Sequence, residues 1–196
     1  MATKSAQQRN LQALSFVFGM DTLLIRTSGG STTLSTHTGI AWGIPASGAS
    51  AMSATVTDAS ADATGTAAEA ILQHTNGTGT SYLVNDASTS IGDTTLAFDG
   101  GSGTFEAGDI ITLAGDTQEY LVLADHAGTS GTLSIFPPLV AAPADNAAIT
   151  IGTARSVSGL TVGTGSEDIV LDSTSITSGQ SVDITAFTFT EPAATA

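Results

Sequence analysis

Cysteine is absent from this chain, so no disulfide or thiolate chemistry contributes and the redox compartment is unmarked. Positive charge is scarce: four Lys and Arg stand against eighteen Asp and Glu, a net charge of −14. Nucleic-acid binding places several cations on phosphates, so a body this acidic repels DNA and RNA. Charged residues of both signs make up 11% of 196 positions and aromatics 5%. Disorder requires high net charge and low hydropathy together. Here mean hydropathy is +0.24, and β-branched residues recur at strand spacing, so a folded, β-rich protein is expected. No run approaches the roughly eighteen uninterrupted apolar residues of a membrane span. Leu11 to Met20 follows Lys4 and Arg9 as a leader's apolar region would. Gln12 breaks that run and no small-residue cleavage site follows promptly, so no leader is expected.

The few cations are unevenly placed. Lys4, Arg9 and Arg26 face only Asp21 within the first 26 residues, which gives +2. From Thr27 onward Arg155 stands alone against seventeen acids, which gives −16. An acidic surface keeps a protein soluble, and this distribution also describes a basic foot on an acidic head.

What is present is alternation. From Ser90 to Thr153 apolar residues pair at a spacing of two: Leu96/Phe98, Ile111/Leu113, Leu121/Leu123, Leu133/Ile135 and Ile149/Ile151. Turn chemistry separates the pairs at Gly100-Gly101, Ala114-Gly115-Asp116, Gly128 to Gly131 and Pro137-Pro138. Period-two runs of this length are half-buried strands, and five in succession predict a small antiparallel barrel. On either side the pattern is looser. Residues 3–18 read as a short helix, capped by Thr3 or Ser5, striped by Leu11, Leu14 and Phe18, and ended by Gly19. A strand through Phe16, Phe18 and Met20 is the rival. Thr22 to Thr27 reads as a strand. Leu34, Ile40, Trp42 and Ile44 share even positions, so they fall on one face of an extended segment that stops at Pro45. Ala67 to Gln73 is a helical turn or a strand. From Ser158 the segments SGLTVG, EDIVLD, TSITSG and QSVDITAFTFT are strand and turn. In the last of them Val182 and Ile184 are even but Phe187 and Phe189 odd, so a bulge sits near Ala186 or both faces are covered.

The wording DTTLAFDGGSGTFEAGDIITLAGDTQEYLVLA, continuing through GTLSIFPPLVAAPADNAAITIG, resembles a β module inserted in some tailed-phage coat proteins. The flanks are similar to successive parts of a family of small phage virion proteins with an N-terminal helix and a compact β domain. Leu23 to Gly30, Ser53 to Ala67 and Ser158 to Pro192 carry that second likeness, which lapses between about Thr78 and Val157. Together they imply an N-terminal arm or helix over 1–26, a discontinuous β domain of 27–77 plus 158–196, and a barrel of 78–157 inserted at a surface loop. Insertion there is tolerated because lengthening a closed loop adds little entropy cost.

Chemistry has little to stand on. His37, His74 and His126 are far apart and lack metal-site spacing, so each reads as a surface or pocket histidine. The Gly-rich stretches 100–103 and 163–165 lead into no helix and no Lys-Ser/Thr follows. No nucleophile elbow occurs. Asp109 and Asp116 each follow a glycine beside a strand, where a carboxylate bonds turn amides rather than calcium. Gly108 and Gly179 stand fourth in similar five-residue segments, Phe105 to Asp109 and Ile176 to Gln180, where glycine supplies a turn of positive φ.

The expectation is therefore an all-β protein, a sandwich or jelly roll with a small inserted antiparallel barrel and a short N-terminal helix, with no enzymatic activity, cofactor or metal. The resemblance implies a capsid decoration (cement) protein on the outer surface of the virion. Its partners would be the major capsid (coat) protein and other copies of itself, with no nucleic acid and no membrane. Lys4, Arg9, Phe16, Phe18, Arg26, Phe187 and Phe189 are the candidate contact residues. A tail, neck or fibre protein of the virion is the alternative, and a secreted adhesin or surface-layer module a more distant one.

Overall fold

The computed structural model describes residues 5–85 and 89–190. In chain order the elements are α1 (Ala6–Val17), β1 (Met20–Arg26), β2 (Thr33–His37), β3 (Ala49–Ala51), β4 (Val56–Asp58), β5 (Gly65–Thr66) and β6 (Glu69–His74). Next come β7 (Tyr82–Val84), β8 (Thr95–Asp99), β9 (Thr104–Phe105), β10 (Ile110–Leu113), β11 (Glu119–Val122), β12 (His126–Ala127), β13 (Gly131–Phe136) and β14 (Ala148–Ile151). The chain closes with β15 (Ser156–Gly163), β16 (Ile169–Leu171), β17 (Ser175–Ile176) and β18 (Val182–Thr190). It is all-β apart from one short helix and divides into two compact units, residues 1–73 with 156–196 and residues 74–155.

In the discontinuous unit a mixed sheet runs β2-β1-β6-β15-β16-β18-β3, with β4 also paired to β18. The sheet curls over its own core. Strands β2 and β4 stand at opposite ends of the strand order, yet the Thr36 amide donates to Asp58 Oδ2 at 3.1 Å. The Asp62 amide reaches the Leu34 carbonyl at 2.8 Å. One curled sheet thus supplies both apolar walls of a sandwich-like core of Leu23, Ile25, Leu34, Leu72, Ile169, Leu171, Ile184 and Phe187. Within the expected N-terminal segment, α1 is the helix and β1 joins the sheet between β2 and β6.

The change of face in β18 is a bulge. Val170 pairs with Ala186 and Leu171 with Ile184, which leaves Thr185 over, its hydroxyl donating to the Val170 carbonyl at 3.0 Å. The extra residue turns the strand so that Val182, Ile184 and Phe187 all enter the core.

Residues 74–155 form a closed barrel in the order β10-β11-β13-β8-β7-β14, antiparallel throughout. All five strands expected from the alternation are present, and β7 is the sixth. One register differs from the expectation. In β11 the inward residues are Tyr120 and Val122, while Leu121 is half-buried and Leu123 exposed. Tyr120 wins the interior because its ring fills the barrel while its hydroxyl reaches Asp116 Oδ2 at 2.6 Å. The sequence leaves and re-enters the discontinuous unit on neighbouring strands: Gln73 pairs with Ser156, and Leu72 with Val157.

Candidate functional site

An exposed apolar face is built where α1 meets β3 and β18. The helix starts at a capping box: the Gln8 amide donates to Ser5 Oγ at 3.2 Å, and the Ser5 amide donates to Gln8 Oε1 at 2.8 Å. It stops at Gly19, whose φ of 69° is open to glycine at little cost. Its rotation differs from the expected one. Ala13 and Val17 are buried, Phe16 is half-buried, and the stripe of Leu11 and Leu14 faces outward with 67% and 46% exposure. Three contacts set that rotation. The Phe16 ring stacks on Phe189 at 3.8 Å between centroids with a 7° tilt. Asn10 Oδ1 accepts the Gly48 amide at 2.7 Å. Gly48, at φ 86°, leaves room for Arg9, whose Cβ lies 2.9 Å from where a Gly48 Cβ would be. The small Ala13 lets the helix lie close, so the larger leucines are left outside.

Beside α1 stands the hairpin of residues 43–51. The Gly43 amide donates to the Ala51 carbonyl at 2.8 Å, Ala46 and Ala49 exchange bonds of 2.8 and 2.9 Å, and Ser50 Oγ holds the Gly43 carbonyl at 2.9 Å. Pro45 is buried and Ile44 is 96% exposed. Ile44 was expected on the same buried face as Leu34, Ile40 and Trp42. The expected single extended segment is broken: β2 ends at His37 and Gly39 takes φ 71°, and Ile44 lies on the arm that pairs with residues 49–51 across the turn at Ser47 and Gly48. Trp42 stays against the core, its Nε1 donating to the Met20 carbonyl at 2.7 Å and its ring meeting Phe187 edge-on at 5.0 Å.

Charge marks this face as unlike the rest of the chain. Between Asp21 and Asp58 the only charged residue is Arg26, residues 1–20 contain no acid, and residues 184–190 contain no charge. Among the described residues, α1, the 41–52 segment and β18 from Ile184 to its end therefore carry Arg9 and no carboxylate in a chain of net charge −14. A shallow groove lined by Leu11, Gln12, Ser15 and Phe16 runs along it.

The structure gathers Arg9, Phe16 and Phe189 here and sets Phe18 at the helix end, where its amide bonds the Leu14 carbonyl at 2.9 Å. Two expected contact residues are placed elsewhere. Phe187 is a core side chain with 3% exposure, and Arg26 lies within the sheet, its guanidinium crowding Gly30 together with the Glu69 carboxylate. Lys4 lies outside the described residues. Leu11, Leu14 and Ile44 were not among the expected contact residues.

Elsewhere the polar groups serve the fold. His37 and His74 are buried rather than at the surface. His74 Nε2 bonds Asp109 Oδ1 at 2.9 Å inside the barrel unit, and Asp109 also accepts the Gly77 and Glu106 amides at 3.1 and 2.9 Å. Asp116 accepts the Gln118 amide at 2.9 Å; with the Tyr120 bond first and this one second, its carboxyl is held below the ordinary carboxylate range. Both aspartates thus bond turn amides, as their placement after glycine suggests. A second concavity, lined by Ser166, Glu167, Asp168 and Phe187, has its carboxylates engaged locally: Asp168 Oδ2 takes the Thr161 amide at 2.8 Å and Glu167 Oε2 the Gly165 amide at 2.9 Å. Among the described residues no group of three or more His, Asp or Glu is arranged to hold a metal ion.

Comparison with protein-family models, with curated proteins and with solved structures finds no match to this chain.

Proposed function

We propose that this protein is a decoration (cement) protein of a tailed-phage capsid, which binds the outer surface of the coat lattice through the face built on α1 and stabilises neighbouring subunits by spanning their junctions. The supporting observation is the exposed Leu11–Leu14 ridge on a firmly capped helix whose described residues include no acid, in an otherwise strongly acidic chain. An apolar face of low charge fits burial against another protein, while the acidic remainder suits solvent. The resemblance of Leu23 to Gly30, Ser53 to Ala67 and Ser158 to Pro192 to small phage virion proteins names the partner. Stabilisation on this reading follows from tighter binding to the assembled lattice than to free coat subunits. The bare edges need no partner. Strands β2 and β3 lack Lys guards, but β2 is covered by Asp62 and Ala63 amides on the Leu34 carbonyl, and β3 by the 41–46 segment.

Particles made without this protein are expected to assemble but to rupture or lose DNA at lower temperature, and purified protein added back restores them. Attachment is mainly apolar, so moderate salt releases little of it. A side-chain-resolution reconstruction of the virion is the decisive measurement. A handful of copies per particle, or a place on the inner wall against DNA, overturns the reading and favours a tail, neck or fibre protein.

A further inference from the structure

We propose that Asn76 is a guarded deamidation site: the folded barrel unit keeps it an amide, and opening of the unit around Asp109 converts it irreversibly to aspartate or isoaspartate. Of Asn10, Asn76, Asn85 and Asn146, only Asn76 precedes a glycine. That order sets the side-chain carbonyl beside the least hindered backbone nitrogen, because Gly77 has no Cβ to shield it. In the reaction the Gly77 nitrogen gives its proton to solvent base and bonds the Asn76 side-chain carbonyl carbon. The bond from that carbon to Nδ2 breaks, ammonia leaves and a succinimide ring closes. Water then splits one of the two imide C–N bonds, which leaves aspartate or isoaspartate. Water is the only co-reactant, and nothing is oxidised or reduced.

The fold restrains every atom of this step. The Gly77 amide donates to Asp109, at 3.1 Å to Oδ1 and 3.3 Å to Oδ2, so the attacking nitrogen faces a carboxylate that opposes loss of its proton. Asn76 Nδ2, the leaving group, donates to the Gly152 carbonyl at 2.7 Å, which fixes the side-chain amide in place. Gly77 has no room to swing, since a Cβ there would run into the Thr104 carbonyl oxygen and press on Phe105 Cα and Asp109. Asp109 has no exposure and is itself held by His74 Nε2 and the Glu106 amide, each at 2.9 Å. All of these residues belong to the barrel unit. The packing that admits only glycine at 77 is therefore what creates the reactive dipeptide, and Asp109 is its guard. Conversion is one-way. The product lacks the Nδ2 donor and sets an oxygen against the Gly152 carbonyl, and isoaspartate also lengthens the main chain by a carbon. Chemical change of an opened state is one route by which unfolding becomes irreversible.

The experiment is peptide mapping by mass spectrometry of the full-length protein held in mildly alkaline buffer, folded and in unfolding urea, with Asp109→Ala beside the wild type. Exchange of the side-chain NH2 for OH marks conversion by mass. Asn76 is expected to convert at least about tenfold more slowly in the folded wild type than in urea, since reaction through an open state follows that state's population. Folded Asp109→Ala is expected to convert about tenfold faster than folded wild type, with circular dichroism and tyrosine fluorescence reporting its fold. Hydrogen exchange tests the guard in the wild type, whether or not that variant folds: the Gly77 amide is expected to exchange as slowly as the amides of the barrel strands. Asn76→Asp, which installs one product directly, is expected to lower the urea midpoint of the tyrosine signal. Equal conversion of the wild type in buffer and in urea overturns the inference. So does a folded Asp109→Ala that converts no faster, or a Gly77 amide that exchanges like one in an exposed loop. An unchanged midpoint in Asn76→Asp overturns the one-way consequence.

Discussion

Asp109 has no exposure and accepts three donors, His74 Nε2, the Gly77 amide and the Glu106 amide. Removing it strands buried donors, so Asp109→Ala is expected to destabilise the barrel unit by about 3 kcal/mol, read from urea unfolding followed by tyrosine fluorescence. A loss below about 1 kcal/mol would mean water replaces the carboxylate. Gly77 belongs to the same knot, since any Cβ there would run into the Thr104 carbonyl oxygen and press on Asp109. His37 answers a different question. Burial holds its imidazole below the ordinary 6.5, outweighing Asp58 and the weaker pulls of the Val56 carbonyl, Asp183 and Asp62. The unfolded chain therefore binds the proton more readily than the folded one. The His37 contribution to stability is complete above pH 6.5 and is lost progressively as pH falls below that value. Urea midpoints are expected to drop from pH 7.5 to pH 5.5, with a shallower drop in His37→Gln; equal slopes in the two proteins would refute the assignment.

At the scale of single elements, α1 and β11 each bury the side opposite to the one that apolar spacing suggests. Leu11 and Leu14 do share a helix stripe, as their spacing requires, but the stripe turned inward is Ala13 with Val17. Replacing Leu11 and Leu14 with Ser is accordingly expected to change unfolding free energy by no more than about 0.5 kcal/mol, while under the proposed function it abolishes attachment to coat shells in a co-sedimentation assay. Phe16→Ala breaks the stack on Phe189 and is expected to cost about 2 kcal/mol. In β11 the same logic ranks two neighbours: Val122→Ala destabilises clearly more than Leu123→Ala, because Val122 is buried and Leu123 is 41% exposed. Chemical denaturation of the four variants checks both statements. Where turn chemistry was explicit the elements follow the sequence closely. Gly108 and Gly179 take φ of 112° and 84°, and Ser5 and Gly19 bound the helix.

For the whole molecule, two separate cores predict two separable unfolding events. The chain carries its one Trp, Trp42, in the discontinuous unit and both Tyr, Tyr82 and Tyr120, in the barrel, so tryptophan and tyrosine signals report different units. Non-coincident transitions are expected, and superimposable ones at every denaturant concentration would show a single cooperative unit. Because Gln73 and Ser156 are partners on adjacent strands, replacing residues 74–155 by an Asn-Gly turn should leave the remaining unit folded, as judged by Trp42 emission and circular dichroism. The sequence by itself determined the local facts: strand periodicity, five of the six barrel strands, the helix ends, the glycine turns and the gradient of charge from a basic start to an acidic body. These depend on neighbours within a few residues, which alternation and capping report directly. Only the tertiary structure decided which side of α1, β11 and the 43–51 hairpin meets a core. That choice rests on partners far along the chain: Phe189 for Phe16, Gly48 for Asn10 and Val140 for Tyr120. The exposure of Leu11 and Leu14 arises from the same contacts, since the helix turns Ala13 and Val17 inward.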